Sequence, residues 1–351
     1  MNKNKKTLVI LTPGFAINEA DSNCLPLQQQ LVRALKEINP ELNIVVLSFQ
    51  YPFHTQKYAW FNTTVTPFNG KDRGGLYRHL LRRKIITALK KIHSITPVSG
   101  LLSFWYGECA AVGKIFADKK GLKHFCWILG QDAKKENKYP KRSKLGSGEL
   151  VAISDFIQTE FEKNHGIRPK FLVLPGINKT LYSLEKKEKD IDILGVGSLI
   201  PLKQYDVFIK VVVEIKKRLP AVKVVLAGDG PEKIKLEELI RNSGLQETIL
   251  LTGKLPYTDT LQLMQRAKVF LHPSFYEGFV MVCLEALYAG ARVISFVRPM
   301  NQEIKNWYHV NDIEEMLQKT MNLLSLPPIE YEIDDDFVIE TTATKMMELF
   351  Q

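Results

Sequence analysis

Two glutamates, Glu277 and Glu285, stand eight residues apart across the start of an expected helix. The segment reads Tyr276-Glu277-Gly278-Phe279-Val280-Met281-Val282-Cys283-Leu284-Glu285-Ala286-Leu287-Tyr288-Ala289-Gly290, then Arg292-Val293-Ile294-Ser295-Phe296 as a β-branched strand. Gly290 suits a left-handed helix end. The pattern predicts a helix over Phe279–Ala289, with Glu277 in the loop before it. Glu285 then falls roughly two turns inside, roughly 10 Å away along the axis. The main-chain amides of Phe279, Val280 and Met281 would lie between the carboxylates, at the positive end of the helix dipole. Such a layout suits a ligand with a pyrophosphate in the middle and hydroxyl-rich sugars at both ends, that is, a nucleotide-activated sugar. Most glutamates are solvated helix residues, so the neighbouring residues have to decide.

They do. Pro273, Ser274, Glu277, Gly278, Phe279, Glu285, Ala286, Ala289, Gly290, Val293 and Ile294 fit the pattern S-x-x-E-G-F-G-x-x-x-x-E-A-x-A-x-G-x-P-V-I. On these residues the block resembles the E-x-x-x-x-x-x-x-E segment of retaining glycosyltransferases, the large family 4 (glycosyl transferases group 1) on the GT-B fold. Val280 departs where the family often has Gly, and Arg292 where it usually has Pro. The resemblance implies an α/β fold of two Rossmann-like domains facing a cleft. It implies a retaining, metal-independent transfer of sugar from a nucleotide-diphosphate sugar to a hydroxyl acceptor: a glycan, a lipid-linked glycan or a small molecule. No cofactor beyond that co-substrate is expected. Glu277 would touch the transferred sugar, Glu285 the ribose hydroxyls, and Gly278, Phe279 and Val280 the donor.

Further motifs extend the resemblance. Gly195-Val196-Gly197-Ser198 through Lys203 matches a stretch that in the family reads G-R-L and then K-G, whose Arg and Lys hold the donor diphosphate. Lys203 fits the Lys, but Ser198 occupies the Arg position and Gln204 the Gly. A hydroxyl donates to phosphate yet brings no charge. Ala227-Gly228-Asp229-Gly230-Pro231 ends a strand and resembles the family's G-x-G-P turn, so Gly197 and Gly230 join the donor set; G-x-G alone is often only a tight turn. Thr252-Gly253-Lys254-Leu255 matches the loop near the nucleotide base, which adds Leu255. Gly14, in Thr12-Pro13-Gly14-Phe15, corresponds to the glycine loop that approaches donor phosphate and acceptor. Gly130 and Asp132 fit a G-x-D whose preceding histidine is absent, as is the histidine of the loop Ser103–Glu108. Asp132 is either the holder of an acceptor hydroxyl or a helix cap.

The 351-residue chain is long enough for two cores, and 45% hydrophobic with 25% charged residues is ordinary globular composition. The apolar run Thr7–Leu11 stops at Thr12-Pro13-Gly14, too soon for a secretory segment and suited to a first buried strand. No run approaches bilayer length. Cys24, Cys109, Cys126 and Cys283 form no metal-ligand or disulfide pattern, which points to a cytoplasmic protein with reduced thiols. Charge is uneven. Residues 1–175 hold 27 Lys+Arg against 13 Asp+Glu, and residues 176–351 hold 21 against 25. The basic half is either a solvated surface or a contact for an anionic acceptor or membrane; it lacks a nucleic-acid recognition motif.

Strands alternate with helices throughout, the signature of parallel sheets covered on both faces. Expected strands are Thr7–Leu11, Asn43–Phe49, Gly100–Phe104, Lys123–Leu129, Glu149–Ile153 and Lys170–Leu174, then Ile191–Val196, Val222–Ala227, Thr248–Leu251, Val269–His272 and Arg292–Phe296. Expected helices are Cys24–Asn39, Gly75–His93, Ala110–Lys120, Phe156–Gly166, Tyr205–Leu219, Glu232–Ser243, Tyr257–Ala267 and Phe279–Ala289. Phe53–Lys71 reads mostly as loop. Domains are expected at 1–175 (acceptor) and 176–333 (donor), with the polar stretch Leu184–Lys189 near their junction. A tail helix over 334–351 is a candidate to cross back to the first domain. In Gly75–His93, Tyr77, Leu81, Ile85, Ala88, Leu89 and Ile92 share one face opposite Arg83, Lys84, Lys90 and Lys91. That face either packs on its own sheet or lies on anionic lipid at the inner face of a membrane. Two rivals to the transferase remain: a nucleotide-sugar epimerase, and a non-catalytic sugar-nucleotide-binding protein.

Overall fold

Burial of alternating β-branched runs under amphipathic helices produces two parallel-dominated sheets. The computed structural model describes residues 6–183, 185, 187–329 and 334–351. Leu184 and Lys186 of the junction stretch, residues 330–333 of the expected second domain and the first five residues lie outside those described. The chain divides into two compact units, one of Met1–Asn178 with Asp335–Gln351, the other of Lys179–Asp334.

In chain order the first unit comprises β1 (Thr7–Gly14), α1 (Pro26–Ile38), β2 (Asn43–Tyr51), β3 (Tyr58–Trp60), β4 (Thr63–Pro67), α2 (Gly75–Ile95), β5 (Val98–Phe104) and α3 (Glu108–Lys120). It continues with β6 (Lys123–Ile128), α4 (Tyr139–Ser143), β7 (Leu150–Ala152), α5 (Asp155–His165) and β8 (Phe171–Leu172). The sheet order is β3-β4-β2-β1-β5-β6-β7-β8, and only β3–β4 is antiparallel. Leu8, Val9, Ile10 and Leu11 of β1 are buried, as a strand with neighbours on both sides requires. Leu81, Ile85 and Leu89 of α2 pack into the core with Val9, Leu11, Val45 and Leu47. The apolar stripe of this helix therefore covers its own sheet.

The second unit comprises β9 (Ile191–Val196), α6 (Tyr205–Arg218), β10 (Val224–Ala227), α7 (Lys233–Asn242), β11 (Ile249–Gly253), α8 (Tyr257–Gln265) and β12 (Ala267–His272). α9 (Met281–Tyr288), β13 (Arg292–Ser295), β14 (Trp307–His309) and α10 (Ile313–Leu324) complete it. All its strands are parallel, in the order β11-β10-β9-β12-β13-β14. Chain direction across the sheet reverses between β9 and β12, the switch point where open α/β sheets bind ligands beyond the strand carboxyl ends. The last helix, α11 (Ile339–Glu348), belongs to the first unit. It packs on α1, Thr342 Oγ1 donates to the Leu174 carbonyl (2.9 Å), and Ile177 bridges to Val338.

Five elements fall where the sequence pattern assigned none: β3, β4, α4, β14 and α10. β3 and β4 form a hairpin inside the expected loop Phe53–Lys71; its turn residues Phe61 and Asn62 both have positive φ (39° and 59°). That turn type normally announces itself as Asn-Gly, and Phe-Asn does not. β14 spans only Trp307–His309, too short for a periodic signal. α10 was legible in principle: Asp312 caps the Glu315 amide (2.9 Å) while the Glu315 carboxylate accepts from the Asn311 amide (2.8 Å).

The loops that leave β9, β10 and β11 are laced together. Gly197 N–H donates to the Ala227 carbonyl (3.0 Å), Gly228 N–H to Gly253 (2.9 Å) and Leu199 N–H to Asp229 (2.9 Å). A Cβ on Gly228 would lie 1.9 Å from the Gly197 oxygen, and one on Gly230 2.5 Å from the Leu199 oxygen. These glycines are thus required by the approach of protein backbone to protein backbone. Gly228→Ala is expected to lower unfolding stability by about 1–3 kcal/mol in urea titration. Gly148→Ala, where a Cβ meets nothing within 4 Å, is expected to change it little.

Candidate functional site

Three donors, two from the segment that leads into Glu277 and one from the loop after β9, converge on one oxygen of Glu277. Lys203 Nζ forms an ion pair with Oε1, Ser274 Oγ donates to it at 2.9 Å, and His272 Nε2 lies 3.3 Å away. Lys203 ends a single tight turn, Pro201–Lys203, between β9 and α6; His272 ends β12; Ser274 and Glu277 lie in the loop before α9. The Ser274 hydroxyl also reaches the Leu202 carbonyl (3.1 Å), tying the two loops. Both charged side chains are only 17% exposed. Burial works to raise the Glu277 pKa, but the His272 hydrogen bond and the Lys203 charge outweigh it and hold the carboxyl at about 2. Burial also lowers the pKa of His272, which leaves a neutral ring whose Nε2 must carry the proton to face a carboxylate.

Gln204 takes φ 50°, ψ 45°, the left-handed conformation that a glycine would adopt with less strain. The turn that presents Lys203 is kept despite the side chain.

Glu285 sits in α9 and is 8% exposed. Its Oε1 accepts from the Tyr257 hydroxyl (2.7 Å) at the start of α8. Burial pushes the Glu285 carboxyl up to about 7, against the lowering effect of the Tyr257 bond. α9 starts at Met281, two residues later than the pattern suggested, so Glu285 lies just over one turn inside. The Met281 amide donates to the Phe279 carbonyl (3.1 Å), which corrects the expectation of three open amides at 279–281. Gly290 does close the helix with φ 81°, and Ala291 N–H reaches back to the Ala286 carbonyl (2.9 Å).

The remaining candidates divide. Gly197 adjoins the pair: a Cβ there would lie 3.8 Å from Lys203 Cε. Ser198 is exposed in the same loop, Leu255 is half-buried after β11, and Gly278, Phe279 and Val280 are buried, with Phe279 edge-on to Trp307. Gly230 packs on Leu199 as above. Gly14 and Asp132 belong to the other unit. A Cβ on Gly14 would make only ordinary contacts, the nearest at 3.6 Å. The buried Asp132 carboxylate accepts from the amides of Tyr106 (2.8 Å), Gly130 (2.7 Å) and Leu129 (3.1 Å). It ties the loops after β5 and β6 to each other, and neither the helix at Gln131–Ala133 nor the one at Glu108–Lys120 is capped by a side chain. Burial raises its pKa to about 6 even though those bonds lower it. Sequence reasoning missed His272 and Tyr257 and gave Ser274 no role. His272-Pro273-Ser274 stands directly before Glu277 and could have been found; Tyr257 is on a different helix and left no local signal.

Residues 178–331 match the family model described as glycosyl transferases group 1. The match covers this segment, less than half of the chain. In Homo sapiens, a component of phosphatidylinositol N-acetylglucosaminyltransferase is 26% identical over 263 residues, 73% of this chain and 50% of that protein. The gpi3 component of the corresponding Schizosaccharomyces pombe enzyme is 35% identical over 111 residues, 31% of this chain and 24% of that protein. The chain thus spans about a quarter to a half of these curated relatives. HepE of Anabaena, solved in complex with UDP and glucose, shares the fold with a TM-score of 0.65 at 16% identity, covering 98% of this chain and 94% of that one. Sucrose-phosphate synthase of Thermosynechococcus elongatus does so with 0.70 at 14% identity, covering 99% and 95%. The fold is GT-B.

Within the second unit the two glutamates titrate in opposite senses. Glu277, held low, contributes stability that is present above its usual 4.5 and is lost as pH falls towards about 2. Glu285, raised to about 7, binds a proton in the native state that the unfolded chain has released, so stability declines as pH rises from 4.5 to about 7. Glu285→Gln is expected to remove that decline, worth at most about 3 kcal/mol, in urea titrations at a series of pH values. Tyr257→Phe should move its end to higher pH.

Proposed function

We propose that the protein is a retaining, metal-independent glycosyltransferase that moves a sugar from a uridine diphosphate sugar to a hydroxyl acceptor. The observation that carries this reading is the Lys203–Glu277 pair, fixed by Ser274 and His272 beside the loop that opens α9. An ionised carboxylate accepts hydrogen bonds from sugar hydroxyls, and an ammonium beside it meets the diphosphate as charge builds on the leaving oxygen. Electrostatic stabilisation of that leaving group is the largest contribution these residues supply. The bond from the anomeric carbon to the diphosphate oxygen breaks, and a bond to the acceptor oxygen forms on the same face. The acceptor proton passes to the departing diphosphate. Glu285, oriented by Tyr257, accepts from the ribose hydroxyls once ionised. Asp132 acts as a positioning residue through the loops it ties.

Support for uridine comes from the UDP bound in the HepE structure, and N-acetylglucosamine is the sugar named for the curated relatives. The acceptor is a glycan, a lipid-linked glycan or a small molecule. A cytoplasmic setting belongs to the same proposal, supported by four free cysteines, three of them buried.

UDP release from UDP-N-acetylglucosamine and UDP-glucose, with a panel of hydroxyl acceptors and with EDTA present, tests the reading. Turnover is expected to survive EDTA and to yield the anomer of the donor by NMR. Lys203→Ala and Glu277→Gln are each expected to lower it by about 10²–10³-fold. An inverted product, dependence on a divalent ion, or full activity of Glu277→Gln would overturn the assignment, and donor binding without turnover across the panel would favour a binding protein.

A further inference from the structure

Residues 42–107 contain nine Lys and Arg and a single acid, Asp72. α2 itself carries six cations and no carboxylate. Its inward face is committed to the core, as described above. Its outward face carries a continuous row at steps of three and four residues, Leu76, Leu80, Lys84, Thr87, Lys91 and Ile95, all exposed. Leu76 is 84% exposed, Leu80 53% and Ile95 57%, which is unusual clustering for large apolar side chains along one helix.

Beside this row lies a groove of about 310 Å³ between α2 and the β3–β4 hairpin. Ala88, Ile92 and Ile95 supply its apolar part, Thr66 and Thr87 flank it, and Lys57, Lys84 and Lys91 are its charged residues. No carboxylate lines it. Arg78 and Arg82 turn to the other flank of the helix, towards Glu108 (3.8 and 2.9 Å), whereas Lys57, Lys84 and Lys91 meet no acidic side chain among the described residues. Apolar walls with three uncompensated ammonium groups match one class of ligand, an anion attached to a hydrocarbon.

We propose that this groove takes an anionic phospholipid, its phosphate among Lys57, Lys84 and Lys91 and its apolar portion along Ala88, Ile92 and Ile95. Leu76 and Leu80 enter the interface of the same bilayer and seat α2 in its plane. No helix among the described residues is long and apolar enough to cross a membrane, so the contact is peripheral. The inference is independent of the transferase reading, and none of these side chains takes part in the proposed reaction.

Flotation of the full chain with phosphatidylcholine vesicles, with and without phosphatidylglycerol, tests it. Binding is expected only with phosphatidylglycerol and is expected to weaken as salt rises. Lys84→Gln/Lys91→Gln should weaken it by about thirtyfold, whereas Lys119→Gln/Lys120→Gln, an equal loss of charge on α3, should not. Ala88→Trp, which fills the groove, and Ile95→Ser, a surface change that keeps the fold, should each reduce binding with every charge intact. Equal loss in the two lysine pairs would reduce the effect to diffuse charge and overturn the site. Unchanged binding in both Ala88→Trp and Ile95→Ser, or displacement from vesicles by millimolar inorganic phosphate alone, would also overturn it.

Discussion

A salt bridge withdrawn from water governs the second unit. Taking an ammonium and a carboxylate to 17% exposure costs several kcal/mol per ion, which only mutual pairing with added hydrogen bonds offsets. Ser274 and His272 provide those bonds, and both are fixed by where β12 ends. The ion pair therefore cannot form unless the loops after β9 and β12 adopt one relative arrangement. Glycine contacts between the β9 and β10 loops hold that arrangement from the other side. On the proposed function, an incoming diphosphate would give the Lys203 ammonium a second anion.

The other glutamate is handled differently. Glu285 is buried against one hydroxyl donor, and burial raises its carboxyl to about 7, near the boundary between neutral and ionised at neutral pH. One fold thus keeps one carboxylate charged at neutral pH and leaves the other near its titration point. In the first unit, by contrast, the buried Asp132 is spent on main-chain amides and organises loops.

The strand–helix alternation, the strand β9 and the motif around Glu277 were legible because each rests on local periodicity or on residue type at fixed spacing, whereas the place of β9 at the switch point depends on strand order. Gly290 was legible for the same reason: a left-handed helix end needs a residue without a side chain. The β3–β4 hairpin was not, since Phe61-Asn62 carries no turn signature, and β14 is too short to show a period. Within the site, the sequence pointed to Lys203 and Glu277 as holders of different parts of a ligand. Their pairing with each other depends on a contact between residues 74 positions apart. Tyr257 was hidden likewise, and Gln204 shows the converse case: a departure from the family Gly that the backbone absorbs by accepting strain.

The most direct test of the account is a double-mutant cycle on donor affinity, measured calorimetrically with UDP-N-acetylglucosamine for the wild type, Lys203→Ala, Glu277→Gln and the double variant. If the two side chains work as one coupled unit, their effects will fail to add by about 1 kcal/mol or more. Effects that add to within about 0.5 kcal/mol would show two independent residues and contradict the claim.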